Sequence, residues 1–140
     1  MKIEYRESLP DQKDFIHLYH SAGWTNPLSE EQLYRAISQS WYTLSVYAVE
    51  QLVGFGRIIS DGIYQALLCD VIVLPGYQNR GIGKNIVQRL LHKCQSNQIV
   101  MVLLFSAKGK ADFYKKFGFV ERSADAPGMW WHGFPEENEK

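Results

Sequence analysis

The chain has few cysteines, no long apolar run and no excess of either charge. Only two of its 140 residues are cysteine, and both fall inside predicted elements, so we interpret them as buried free thiols. Lysine plus arginine and aspartate plus glutamate both number 15, which argues against nucleic acid or an anionic membrane as a partner. No apolar segment approaches the length of a membrane span, and residues 1–6 lack the features of a signal peptide. These absences favour a cytoplasmic protein.

The chain also lacks internal repeats, low-complexity stretches and linkers. With 46% hydrophobic residues, it is long enough to bury one core. We therefore predict a single domain over residues 1–134, followed by a polar tail, residues 135–140, that is expected to be flexible. His17 and His20 lie three residues apart on a predicted helix, but no further ligand accompanies them, so no metal site is predicted.

Residues 69–91 are the most informative stretch. The β-branched and apolar residues 71–74 predict a strand, which Pro75 and Gly76 end. An amphipathic helix follows, with apolar residues at helical spacing: Ile82, Ile86, Val87, Leu90, Leu91 and Cys94. A strand that leads through a glycine-containing turn into a helix N-terminus favours anion binding, because the free amides and the helix dipole both attract negative charge.

Three kinds of phosphate-binding loop fit this position, and the residues distinguish them. A Walker loop requires Ser or Thr after Gly-Lys, but Asn85 follows Gly83-Lys84. A dinucleotide-binding loop requires a third glycine, which is absent after Gly83. What remains is the pattern Gln-x-x-Gly-x-Gly over residues 78–83, after a strand that ends in Val-x-Pro.

Two motifs carry a resemblance to a known family. Residues 77–83, Tyr-Gln-Asn-Arg-Gly-Ile-Gly, resemble the coenzyme A pyrophosphate loop of the GCN5-related N-acetyltransferases, the GNAT family. Residues 112–119, Asp-Phe-Tyr-Lys-Lys-Phe-Gly-Phe, resemble the second motif of that family, FYxxxGF. The resemblance implies an acyl-CoA-dependent N-acetyltransferase. Such an enzyme moves an acetyl group from acetyl-CoA, its co-substrate, to a primary amine by direct attack in a ternary complex.

The elements in chain order predict an α/β (α+β) fold. Residues 2–6 predict a first strand, and two helices follow, the second of which begins with a capping box at Ser29. Residues 42–49 and 52–60 predict a hairpin with its turn at Glu50-Gln51, and residues 64–74 predict the next strand.

The C-terminal part of the chain completes the predicted sheet. Residues 99–105 predict a central strand, buried on both faces and parallel to the strand at 64–74, from which the family resemblance implies that it splays. A short helix over residues 110–117 and further strands at 119–122 and 129–132 follow. The result is a single-domain, GNAT-like fold with a mixed central sheet of six to seven strands. That sheet is mostly antiparallel, has one splayed parallel pair, and is flanked by about four helices.

Candidate coenzyme contacts follow from the loop and from the resemblance. The backbone amides of residues 78–83 are expected to bind the pyrophosphate, and Arg80 either adds a charge-assisted contact or is a solvated loop residue. Glycines at 81 and 83 let a phosphate approach the backbone. The strand before the loop is expected to pair with the pantetheine. The predicted contacts are Ile72, Val73, Gln78, Asn79, Arg80, Gly81, Ile82, Gly83 and Asp112. Asp112 stands where many relatives carry Asn, and a carboxylate cannot donate the same hydrogen bond.

Tyr114 is the predicted catalytic acid. A phenol with a pKa near 10 suits protonation of a leaving thiolate, and the family places the tyrosine of FYxxxGF close to the sulfur. The alternative is a ring that only packs its helix.

Asp70 is the predicted general base. It alternates with apolar residues on one face of its strand, and burial there is expected to raise its pKa; those residues are Leu68, Ile72 and Leu74. The alternative is a buried carboxylate bonded to backbone or to Arg57. His132 and Glu121 are weaker candidates, and a water chain is a further one.

The acceptor is predicted to be a small-molecule primary amine. The resemblance implies that the first two helices form one wall of its site, where Tyr19, Trp24 and Tyr34 either line a pocket or belong to the core. Two alternative functions stay open: an acyl-CoA-binding module without efficient transfer, and acetylation of a protein N-terminus or lysine. Trp130 and Trp131 would face opposite sides of a strand, so an exposed ring makes a homodimer a candidate assembly.

Overall fold

The computed structural model describes residues 2–136, which contain one five-stranded sheet and four α-helices. In chain order the elements are β1 (Ile3–Arg6), α1 (Gln12–Ser21), α2 (Glu30–Ser38), β2 (Tyr42–Ala48), β3 (Gln51–Ser60), β4 (Gln65–Val73), α3 (Ile82–Ser96), β5 (Met101–Leu104) and α4 (Ala111–Lys115). The chain divides into two compact units, one that ends at Phe105 and one that begins at Ser106. No helix within residues 2–136 is long and apolar enough to cross a bilayer. Most of the predicted tail, residues 137–140, lies outside the described residues.

The sheet has the order β1-β2-β3-β4-β5. The first three pairings are antiparallel and follow the chain as a meander. The β2–β3 turn consists of Val49 and Glu50, both with positive φ as a tight hairpin turn requires, and it lies one residue before its predicted position. The predicted parallel pair is confirmed: residues 65–68 of β4 pair with β5.

One core of the larger unit lies between the sheet and the helices α1 and α2. Phe15 and Phe55 are fully buried there, and their ring centroids lie 5.0 Å apart. The capping box predicted at Ser29 is present, with the Ser29 side chain and Gln32 each bonding the backbone of the other. It fixes where α2 begins, so that Ile37 of α2 reaches this core.

On the opposite face of the sheet, α3 packs closely against β3. Its residues Ile82, Ile86, Val87, Leu90 and Cys94 are buried, as the helical spacing predicts. The close approach depends on Gly56, because a Cβ on that residue would lie only 2.7 Å from the Ile86 side chain. This packing holds the N-terminus of α3 beside the end of β4.

A β-bulge interrupts β4 and overturns one prediction. Arg57 pairs with Cys69 whereas Phe55 pairs with Ile72, so Gly56 of β3 faces two residues of β4, Asp70 and Val71. The extra residue reverses the alternation of side chains. Leu68 pairs with Ile58, on the α3 side of the sheet, but Ile72 belongs to the core under α1. The prediction that Leu68, Asp70, Ile72 and Leu74 share one face is therefore wrong.

The C-terminal part of the predicted sheet differs as well. β5 was predicted to be central and buried on both faces, but it lies at the edge of the sheet and its residues are only half-buried. The predicted strands at 119–122 and 129–132 are not strands, so the described sheet has five strands instead of six or seven. A strand exists only when a neighbour pairs with it, and these segments are exposed; Trp130, for example, is 85% exposed.

Candidate active site

The predicted phosphate loop joins β4 to α3. A turn of 3₁₀ helix, Pro75–Tyr77, follows the strand, and Gln78 is extended. Asn79 and Gly81 then have φ of +63° and +82°, and Gly81 is the N-cap of α3. Two left-handed residues in three turn the chain sharply into the helix.

The backbone of this loop carries a row of hydrogen-bond donors without acceptors. Among residues 2–136, none accepts a hydrogen bond from the N–H groups of residues 79–84. The first helical bond comes from Asn85, whose N–H donates to the Gly81 oxygen at 3.0 Å. The row is shifted by one residue from the predicted 78–83, because the Gln78 N–H donates to Pro75 while the Lys84 N–H is free. Such a row at a helix N-terminus is suited to a phosphate group.

Gly81 is the residue that keeps the approach to these amides open. Nothing lies within 4 Å of the position that a Cβ would occupy there, and its φ of +82° is one that other residues rarely adopt. Ile82 contributes only its N–H to the loop, since its side chain is buried under β3. Gly83 lies in the first turn of α3 and is half-buried.

The loop side chains are less engaged than its backbone. The Arg80 guanidinium lies over the Tyr77 ring, 5.2 Å from its centroid, and the side chain is exposed. Gln78 instead points back along the chain, and its Nε2 donates to the Val73 oxygen at 3.0 Å. This bond, which sequence reasoning did not find, ties the loop to the end of β4.

The end of β4 offers a free backbone edge next to the loop. Pairing with β5 stops at Leu68, so residues 69–73 have no β5 neighbour. The Leu74 N–H donates to Val53 of β3 at 2.8 Å. Because peptide groups alternate in direction along a strand, the backbone N–H and C=O of Val73 point away from β3, whereas those of Ile72 point towards it. Of the two predicted pantetheine contacts, Val73 therefore has its backbone on this edge, where its oxygen already accepts the hydrogen bond from Gln78 and its N–H is left for a ligand.

Asp70 lies in the bulge and is paired with a cation. Its Oδ2 is 2.6 Å from Arg57 Nε, and the carboxylate side chain is 22% exposed. This contact corresponds to the alternative interpretation of Asp70 as a structural carboxylate. The neighbouring thiol of Cys69 is half-buried, and burial raises its pKa above the usual range, so it is not activated as a nucleophile.

The second unit contains Tyr114 on α4. Its ring packs against Phe113 at 5.0 Å and Phe119 at 6.1 Å between centroids. Burial among these rings raises the pKa of Tyr114 above its usual range, so the phenol stays protonated to higher pH. Asp112 is 94% exposed on its side chain and lies 3.7 Å from Lys115 Nζ.

The predicted acceptor wall is largely core. The Tyr19 hydroxyl accepts a hydrogen bond from Asn26 Nδ2 at 2.7 Å, and the Tyr34 hydroxyl donates to the Pro10 oxygen at 2.7 Å. Both rings pack in the cluster under α1. Trp24, edge-on to Tyr19 and 37% exposed, is the member of the three most available to a ligand. A surface groove of about 480 Å³ does lie on these helices, but its lining is different: Gln12, Lys13, Ile16, His17 and Glu30.

No group of three or more potential ligands within residues 2–136 could hold a metal ion. The two cysteines are free. The described site therefore consists of backbone donors, one strand edge and a small number of polar side chains.

Comparison with known proteins identifies the family. A family model described as an acetyltransferase (GNAT) domain matches residues 7–131. A Pyropia yezoensis protein named N-acetyltransferase ycf52 is 30% identical over 142 residues, which cover 94% of this chain and 80% of the relative. A Streptococcus pneumoniae GNAT-family structure superimposes with a TM-score of 0.76 at 31% identity and covers 94% of this chain and 97% of that one.

The chain belongs to the GNAT family of acyl-CoA-dependent N-acetyltransferases. The family that the two motifs predicted is thus confirmed. A soybean (Glycine max) relative, named histone acetyltransferase TAP1, is 29% identical over 87% of this chain and 57% of its own length.

Proposed function

We propose that this enzyme transfers the acetyl group of acetyl-CoA to the primary amine of a small molecule, by direct attack within a ternary complex. The observation that carries the proposal is the row of backbone N–H groups at residues 79–84, which have no acceptor among residues 2–136. A pyrophosphate supplies the acceptors that this row lacks, and its charge is favoured by the helix dipole. The Val73 N–H would extend the site by donating to an amide oxygen of the pantetheine, since the Val73 oxygen is already bonded by Gln78.

We propose that Tyr114 acts as the acid in this reaction. The amine nitrogen attacks the thioester carbonyl carbon, the carbon–sulfur bond breaks, and the thiolate must gain a proton while the new amide loses one. A phenol whose pKa is raised by burial stays protonated at neutral pH, which supports the donor role. Asp112, exposed and next to Lys115, is a further proposed coenzyme contact, at which the carboxylate would accept a hydrogen bond and not donate one.

We retain Asp70 as a proposed base for the amine, but its ion pair with Arg57 supports a different role. The Asp70 Oδ2 that would accept a proton is already occupied by the hydrogen bond from Arg57 Nε. Substitutions of Arg57 and Asp70 distinguish the two roles.

Both compact units belong, in this proposal, to one acetyltransferase domain over residues 1–134. The family model spans residues 7–131 and so includes sequence from each unit. The loop motif lies in the first unit and the FYxxxGF motif in the second.

Coenzyme binding is the first test. Titration calorimetry with acetyl-CoA should detect binding to the wild-type protein and none to Gly81→Glu, which places a carboxylate in front of the free amides. Gly23→Glu is the matched control: Gly23 has φ of +74° and open space around its Cβ position, as Gly81 does, but lies outside the loop. Binding by Gly81→Glu with wild-type affinity would contradict the proposed site.

The acceptor class needs a separate experiment. The chain carries equal numbers of acidic and basic residues, whereas a basic histone tail would be favoured by an acidic surface. The name of the soybean relative makes a protein acceptor the second candidate. Release of free thiol from acetyl-CoA should rise with small primary amines and stay at the background rate with lysine-containing peptides. The opposite result would favour the protein acceptor, and background rates with both would favour a binding module.

The location of the protein is a further proposal. Two free cysteines suit a reducing compartment such as the cytoplasm. An Arabidopsis thaliana relative is named chloroplastic, so a plastid is the second candidate.

We also propose a homodimer formed through exposed apolar residues near the C-terminus: Val120, Met129, Trp130, Trp131 and Phe134. Sedimentation as a monomer at micromolar concentration would contradict it.

A further inference from the structure

Arg57 and Asp70 form the least exposed ion pair among residues 2–136. Their side chains are 14% and 22% exposed, and Arg57 Nε lies 2.6 Å from Asp70 Oδ2. Arg57 also reaches Ser40, whose Oγ lies 3.3 Å from its Nη1. Ser40 in turn donates to the Ile37 oxygen at 2.7 Å. The guanidinium therefore ties β4 to the segment that follows α2.

The carboxylate that Arg57 holds belongs to a residue with an unusual backbone. Asp70 has φ of +54°, in the left-handed region that residues other than glycine rarely adopt. A residue persists there when its surroundings hold it in place. Arg57 stands directly opposite Cys69, the residue before Asp70, so its side chain can hold the bulge at the point where the strand changes direction.

The bulge lies between the paired and the unpaired parts of β4. Pairing with β5 ends at Leu68, two residues before Asp70. The free edge at Val73 follows three residues after it, and the row of free amides begins at Asn79. The direction of the backbone at Asp70 therefore helps to position both parts of the proposed coenzyme site, the edge at Val73 and the amides that begin at Asn79.

We infer that Arg57 is a positioning residue for the acyl-CoA site, which acts through Asp70 by fixing the bulge in β4. The inference rests on the proposed function, because the site it positions is the one proposed above. In this role the Asp70 carboxylate binds Arg57, and its negative charge serves to hold the backbone of the bulge in place. Proton transfer by Asp70 is the competing role, in which Arg57 would matter only indirectly.

A double-mutant cycle separates these roles. Arg57→Met and Asp70→Asn each remove the ion pair while they keep the side-chain size, and Asn tolerates a left-handed φ. Each single variant should bind acetyl-CoA about tenfold more weakly and raise its KM by a similar factor, with kcat changed less than about threefold. The double variant should be no worse than either single one, because both remove the same contact.

Controls exclude a general loss of structure. Arg6→Met breaks an exposed ion pair with Glu4 and should leave acetyl-CoA affinity within about twofold of wild type. Arg57→Lys keeps the positive charge and should recover part of the acetyl-CoA affinity. This variant keeps the test valid even if Arg57→Met fails to fold. Melting temperatures of all variants are measured in parallel.

Two results would overturn the inference. One is unchanged acetyl-CoA affinity in a folded Arg57→Met. The other is a drop in kcat of about a hundredfold or more in Asp70→Asn alone, with unchanged affinity, which is the behaviour of a general base. Absence of binding by the wild-type protein would instead refute the proposed function itself.

Discussion

The phosphate loop and the α1–α2 wall were both predicted as binding surfaces, and the structure treats them differently. In the loop, the N–H groups of residues 79–84 have no acceptor among the described residues. In the wall, the hydroxyls of Tyr19 and Tyr34 are already hydrogen-bonded to Asn26 and Pro10. The loop therefore has N–H groups without hydrogen-bond partners, whereas the hydroxyls of the wall already have theirs.

This difference shows which sequence patterns predict binding. A loop that ends in Gln-x-x-Gly-x-Gly leaves donors free because the geometry of a helix start provides no partners for them. An aromatic residue on a helix, in contrast, has the same sequence pattern whether it contacts a ligand or fills the core. Tyr114 resembles the wall residues in sequence, but no hydrogen bond to its hydroxyl is present within residues 106–136. Substitutions of these residues test the comparison.

The largest effect should come from Tyr114→Phe. If the phenol donates the proton, its loss should lower kcat by about a hundredfold or more and leave acetyl-CoA affinity unchanged. Since burial raises the pKa of Tyr114, wild-type kcat should not fall on the alkaline side until the pH exceeds the ordinary phenol pKa of about 10. A pH profile of single-turnover rates measures both.

Tyr64→Phe is the control for that substitution, because Tyr64 is about half exposed and outside the proposed site; its rate should match the wild type. A fully active Tyr114→Phe would assign Tyr114 to packing, together with the tyrosines of the wall.

An intermediate effect, on stability alone, should come from Gly56→Ala. A Cβ there would lie 2.7 Å from Ile86 and 3.1 Å from Leu90, so we expect a loss of about 1–3 kcal/mol in the free energy of unfolding through overpacking. Chemical denaturation measures it. Gly76→Ala is the matched control, because nothing lies within 4 Å of its Cβ position and its stability should change by less than about 0.5 kcal/mol. Equal stabilities of the two variants would contradict the close packing of α3 on β3.

The smallest effect should come from Tyr34→Phe. It removes the hydrogen bond to Pro10 and should cost about 1 kcal/mol of stability, without a change in KM for the acceptor amine. Trp24→Ala changes the exposed residue of the wall and should instead raise the KM for the acceptor amine. A raised KM in Tyr34→Phe would return the tyrosine to the predicted pocket. Thermal unfolding and initial-rate kinetics on both variants provide the measurements.

Local patterns in the sequence predicted most of the larger unit. The spacing of Ile82, Ile86 and Leu90 predicted the buried face of α3, and the capping box at Ser29 predicted the start of α2. The glycine motif predicted a turn between β4 and α3, and the structure has one there. These features depend on residues close together in the chain, so the sequence contains the information that determines them.

Other features depend on partners that are distant in sequence. The bulge at Asp70 arises from the pairing of β4 with β3, and nothing in residues 65–73 marks it; the expected alternation across Asp70 was therefore wrong. The space beside Gly56 is limited by Ile86 of α3, which lies 30 residues further along the chain. The predicted strands after α4 had the right composition but are not part of the sheet within residues 2–136.

The sequence by itself therefore determined the family, the order of the elements as far as α4 and the turn that leads into α3, because helix starts, turns and apolar periodicity are local properties of the chain. Only the tertiary structure decided which polar groups are free and which are satisfied. It paired Asp70 with Arg57, turned the Val73 peptide to the open edge of β4, and engaged the hydroxyls of Tyr19 and Tyr34. The physical reason is that a hydrogen bond or an ion pair needs two groups within about 3 Å of each other, and the folded chain alone brings them together.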